Sequence, residues 1–201
     1  MKYIYIIFIV TSILFQNCGI SVIGLYSDYE KLSEIDKEKI VFLNENDGIC
    51  EIKKDEKIYA ITGSQLLDCI ETKENVLVYI WTPYCTQPTC YPLSHVQKYC
   101  ASNGLILYVI ANYYDSERIF SEQESIDLPL FSMNERYYKR KLRHSYSKKF
   151  INDLLKNEKD RKKIIWNGSF IFCNGKLVDS KINMEDENTG VLREIEFQFN
   201  N

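Results

Sequence analysis

The chain has 201 residues, enough for one domain with a sizeable core. Its apolar fraction of 45% and charged fraction of 26% are those of a globular protein. A net charge of −3, with no basic stripe beside its 15 tyrosines, excludes the electrostatic footprint of a nucleic-acid-binding protein, and no nucleic acid is expected as partner.

The chain opens with Lys2 and the almost uninterrupted apolar run Tyr3 to Phe15. About 13 apolar residues suit a signal-peptide core, whereas a spanning helix needs about 20. The segment Phe15-Gln16-Asn17-Cys18-Gly19 resembles the lipobox of bacterial lipoproteins. That resemblance implies a signal peptide over 1–17, cleavage before Cys18 and lipidation at Cys18. An uncleaved anchor running on through Ile20, Val22, Ile23 and Leu25 is the other reading. Both put the body in the cell envelope, outside the cytoplasm, held to a membrane by an N-terminal lipid or hydrophobic anchor.

Residues 18–39 read as a polar tether ending in a short helix around Leu32 and Ile35. Residues 40–56 read as an N-terminal β extension. In it, Ile40 to Leu43 and the alternating Ile49 to Ile52 flank the turn residues Asn44 to Gly48, predicting a β-hairpin. A strand follows at Ile58 to Ile61, then a helix over Gln65 to Glu71 with Ser64 as its N-cap. Val76 to Trp81 and Leu105 to Ala111 are fully apolar and rich in β-branched residues, the pattern of buried strands. Between them a helix is expected from about Cys90 to Ser102, stopped by Asn103-Gly104. A helix is expected at Ser116 to Gln123 and a short extended piece at Leu128 to Phe131. One or two amphipathic helices are expected between Asn134 and Lys163. Asn174-Gly175 marks a hairpin between Ser169–Cys173 and Lys176–Val178. This order predicts an α/β fold with parallel neighbours in a central sheet flanked by helices. The segment 183–201 is a C-terminal tail without a clear pattern.

Seven cysteines become six if Cys18 is lipidated, and six allow 15 pairings. Cys50, Cys69, Cys100 and Cys173 sit in apolar runs and read as structural. Cys85 and Cys90 differ. The strand Val76–Trp81 breaks at Thr82-Pro83 and presents Tyr84-Cys85 at its carboxyl end, where open α/β sheets place their sites. Five residues on lies Cys90, at the expected start of a helix, whose N-terminus would lower a thiol's pKa. Only two histidines are present, His95 and His144, and no metal site or phosphate loop stands out.

Ile80-Trp81-Thr82-Pro83-Tyr84-Cys85 resembles the end of the central strand in the thioredoxin-like superfamily, with Trp81 four residues before the cysteine and an aromatic just before it. The order of elements over residues 57–182 is similar, with a central mixed sheet flanked by helices and a hairpin at its end. The resemblance to membrane-tethered thiol-disulfide oxidoreductases of the TlpA/ResA kind implies Cys85 as attacking thiolate and Cys90 as resolving cysteine. Trp81, Pro83 and Tyr84 would form an apolar lip receiving a protein disulfide, and envelope protein thiols or disulfides would be the partners, with no cofactor. Four residues separate these cysteines where that family has two, and no proline stands near Asn167-Gly168. Thr82-Pro83-Tyr84-Cys85-Thr86 also resembles peroxiredoxins of the bacterioferritin-comigratory type, which implies Cys85 as the peroxide-attacking thiol. The arginine that type requires is absent near Asn167. A third reading is a binding or structural lipoprotein in which Cys85 and Cys90 only staple the turn.

Overall fold

A computed structural model describes residues 25–85, 90–156 and 168–180. The signal-peptide, Cys18 and C-terminal-tail expectations lie outside these residues. The architecture is α/β: a mixed sheet of seven strands with helices on both faces. In chain order the described elements are α1 (Glu34–Glu38), β1 (Ile40–Phe42), β2 (Ile58–Ile61), α2 (Gly63–Ile70), β3 (Asn75–Trp81), α3 (Leu93–Ser102), β4 (Ile106–Ala111), β5 (Phe131–Met133), α4 (Glu135–Tyr138), α5 (Arg143–Leu154), β6 (Ser169–Cys173) and β7 (Lys176–Asp179). The sheet order is β1-β2-β5-β4-β3-β6-β7. The first five strands in that order are mutually parallel, β6 pairs antiparallel with β3, and β7 pairs antiparallel with β6.

The apolar strands lie where their composition puts them. β3 is central, paired with β4 from Val76–Ile106 to Trp81–Ala111 and on its other edge with β6. Successive β3 side chains alternate between two cores. Val76 and Val78 join Leu66, Ile70, Tyr146 and Phe150 beneath α2 and α5. Leu77, Tyr79 and Trp81 join Leu93, Val96 and Cys100 beneath α3. The hairpin β6–β7 turns at Asn174 (φ 48°) and Gly175 (φ 73°), both in the left-handed region that a type I′ turn demands.

Three expectations are corrected. Residues 40–52 form no hairpin: β1 pairs parallel with β2, and Ile49–Ile52 is a turn. The alternation there comes from Ile49, buried in the α2 side of the core, and from Cys50, disulfide-bonded to Cys69 on α2. Cross-linking across 19 positions contributes about 3 kcal/mol by limiting the unfolded chain. Second, α2 is capped two residues earlier than expected, at Thr62 instead of Ser64. Thr62 accepts from the Gln65 N–H while the Gln65 side chain accepts from the Thr62 N–H, a capping box. Third, Ser116–Gln123 forms turns and a 3₁₀ turn at Glu122–Ser125. Its chain is tied by Gln123, whose amide donates to Asp55 O.

Candidate functional site

At the carboxyl end of β3 the chain leaves the sheet at Trp81 and turns at once, with Cys85 N–H donating to Thr82 O at 3.0 Å. Cys85 is joined to Cys90 by a disulfide with a Cα–Cα separation of 5.8 Å, and both are half-buried. The intervening 86–89 lie outside the described residues. Helix α3 begins at Leu93 with Pro92 as N-cap, so both thiols precede it. The helix start expected at Cys90 is corrected to Leu93.

The turn is held from both flanks by buried tyrosine hydroxyls. The Tyr84 N–H, one residue before Cys85, donates to Tyr113 Oη at 2.9 Å. The Tyr91 N–H, one residue after Cys90, donates to Tyr79 Oη at 3.3 Å. Burial raises the pKa of both hydroxyls, which stay protonated. Behind them Asn112 extends the ladder to Trp81 O at 3.0 Å and donates from Nδ2 to Thr82 Oγ1 at 2.8 Å. Tyr146 Oη in turn donates to Asn112 O.

Tyr84 carries the exposed face, at 37% exposure. Its hydroxyl donates to Glu117 at 3.1 Å, which raises its pKa, and the Arg118 guanidinium lies 4.4 Å from its ring centroid. Arg118 also donates to Pro83 O at 2.8 Å. Trp81 is 6% exposed and Pro83 is buried. Of the three residues expected at the lip, Tyr84 alone presents its ring to solvent in this disulfide-bonded form.

Asn112, Tyr113, Glu117 and Arg118 were not marked by the sequence reading. They lie about 30 positions from the cysteines and reach them because β4 ends beside β3. Their one sequence signal is the run of polar residues directly after a buried strand, at the edge where β3 also ends. Cys100 and Cys173 are free and buried, and burial pushes the Cys100 thiol up to about 12, so it is inert at neutral pH. Among the described residues no group of three or more His, Cys, Asp or Glu could hold a metal ion.

Replacing Tyr113 with Phe leaves Tyr84 N–H without its acceptor, a change worth about 1 kcal/mol. Reduction of Cys85–Cys90 by dithiothreitol should then be about fivefold easier at equilibrium. An unchanged equilibrium would show that the hydroxyl does not hold the turn.

Neither a family model, a curated protein nor a solved structure matches this chain.

Proposed function

We propose that the protein is a membrane-tethered, thioredoxin-like protein of the cell envelope that performs thiol–disulfide exchange through Cys85 and Cys90. The observation that carries this reading is the Cys85–Cys90 disulfide at the carboxyl end of the central strand β3. Support for the thioredoxin-like reading comes from the succession β2, α2, β3, α3, β4, α5, β6, β7. The strand before the cysteines pairs parallel with β4 and antiparallel with the β6–β7 hairpin, with α2 and α5 on one face and α3 on the other. The long connection after β4 is spent on β5 and α4, and β5 enters the sheet between β4 and β2.

In the oxidised direction, a partner thiolate attacks Cys85 Sγ, forming a mixed disulfide and releasing Cys90 as a thiolate. A second partner thiolate then displaces Cys85. The partner leaves with a new disulfide and the protein as a dithiol, and the reverse sequence reduces a partner. Arg118, fixed to Pro83 O two residues before Cys85, is a cation held at the turn.

The pinning of Tyr84 and Tyr91 favours a second reading, a structural staple in a non-catalytic binding protein. The two separate on the full chain. Exchange predicts that glutathione buffers titrate Cys85–Cys90 reversibly and that insulin reduction is lost in Cys85→Ser. A disulfide that resists dithiothreitol in the native protein, with no activity to lose, would overturn the exchange reading.

A further inference from the structure

We propose that the turn Lys139–Leu142, together with Leu25, Tyr26 and Arg136, is a face that docks on an anionic membrane surface. The proposal rests on the reading that the N-terminal segment anchors the chain to a membrane.

The first observation is where the chain enters the fold. Tyr26 forms an isolated antiparallel bridge with Leu142, and Arg143 N–H donates to Leu25 O at 2.9 Å. The first described residues are therefore fastened to the turn between α4 and α5. Seven peptide steps separate Cys18 from Leu25, a leash of at most about 25 Å. A lipid at Cys18, or an anchor that continues past it, keeps this turn closer to the bilayer than the leash length.

The second is apolar. Leu25, Tyr26 and Leu142 are 44%, 48% and 46% exposed, and the bridge makes them one patch. Large exposed side chains of this kind, with a tyrosine among them, suit the headgroup boundary.

The third is charge. Arg136, Lys139, Arg140 and Lys141 are exposed on a chain whose net charge is −3. Lys139, Arg140 and Lys141 form no ion pair among the described residues. These cations edge a cleft of about 610 Å³ between the 26–31 segment and 135–141. The carboxylates of the cleft have other engagements: Asp28 pairs with Lys31 at 3.0 Å, Glu30 lies 3.9 Å from Lys37, and Glu135 receives a hydrogen bond from Ser27. A basic cluster beside an anchor is attracted to anionic headgroups within a Debye length.

Docking would also orient the redox turn. The Arg143 guanidinium stacks 5.4 Å from the ring of Tyr113, whose hydroxyl holds Tyr84. The Cys85 turn would then lie beside the bilayer, facing thiols presented at the membrane surface.

The full chain is reconstituted in vesicles of phosphatidylcholine alone and of phosphatidylcholine with phosphatidylglycerol. Flotation reports anchoring, and hydrogen exchange over 136–146 reports docking. With phosphatidylglycerol, exchange there should slow about tenfold relative to neutral vesicles, and added salt should reverse it. The variant Lys139→Glu/Arg140→Glu/Lys141→Glu should float as before and lose the slowing. Flotation with both lipids but equal exchange overturns the docking face and leaves the anchor intact. Failure to float with either lipid overturns both. Because the lipid and salt dependence are read on the unaltered chain, a variant that misfolds does not blunt the test.

Discussion

Gly63→Ala should destabilise the fold by more than about 3 kcal/mol, read as a lower urea midpoint. Gly63 is the first residue of α2, and its N–H donates to Tyr138 Oη at 2.9 Å. An added Cβ would lie 2.1 Å from Phe150 O and 2.7 Å from Leu154 N, both backbone atoms of α5. No rotamer change can clear backbone, so α2 and α5 must separate. Between them lies the core built on Leu66, Ile70, Tyr146 and Phe150. Overpacking costs about 1–3 kcal/mol when side chains can yield, and more when they cannot. Gly48→Ala is the matched control, because its Cβ would meet nothing within 4 Å. It should be neutral or slightly stabilising, by less than about 1 kcal/mol. Equal midpoints for the two variants would overturn the close approach of α2 to α5.

Which parts of this fold the sequence made legible follows from where information is local. β3 and β4 were readable because strands buried on both faces must be apolar throughout, and the β6–β7 hairpin because Asn174-Gly175 meets the turn's own dihedral demand. β5 was half readable. Leu128–Phe131 marked extended chain, but the strand is Phe131–Met133, and Ser132 at its middle broke the apolar pattern. Ser132 is tolerated there because its hydroxyl meets Tyr114 Oη at 2.9 Å. The hairpin expected over 40–52 failed for a non-local reason: period-two alternation fits a strand, yet here it serves a disulfide to α2 and one buried isoleucine.

The candidate site divides in the same way. Cys85 and Cys90 were legible as a pair because a turn at the end of a buried strand is a local pattern. Their holders were not. Tyr79 was visible only as a strand residue, and Tyr113 and Arg118 acquire their roles from the β3–β4 register. The expected helix start at Cys90 failed because α3 begins only at Leu93, after Tyr91 has been tied back to Tyr79.

Glu135 sets the second large effect, a stability that falls as pH rises. Its carboxyl is pushed up to about 7, first by burial, against opposing contributions from backbone, Arg136 and Ser27. Glu30 adds repulsion, and the buried hydroxyls of Tyr114 and Tyr146 face the same charge. One carboxyl oxygen, Oε2, is buried with no hydrogen-bond partner among the described residues. In the unfolded chain the group titrates near 4.5. Between these two values the unfolded state gives up its proton and the folded state keeps it. The folded state then binds more protons, so stability falls as pH rises from about 4.5 to 7 and levels off above, by about 3 kcal/mol in all. Glu135→Gln keeps the shape and removes the titration. The difference in unfolding free energy between wild type and variant, followed from pH 4 to pH 8, should change across that window in the variant's favour. Other carboxylates titrate alike in both proteins and cancel. A difference independent of pH would mean that Glu135 ionises freely in the folded state. It would then face water, and its buried contact with the 27–30 segment would be wrong.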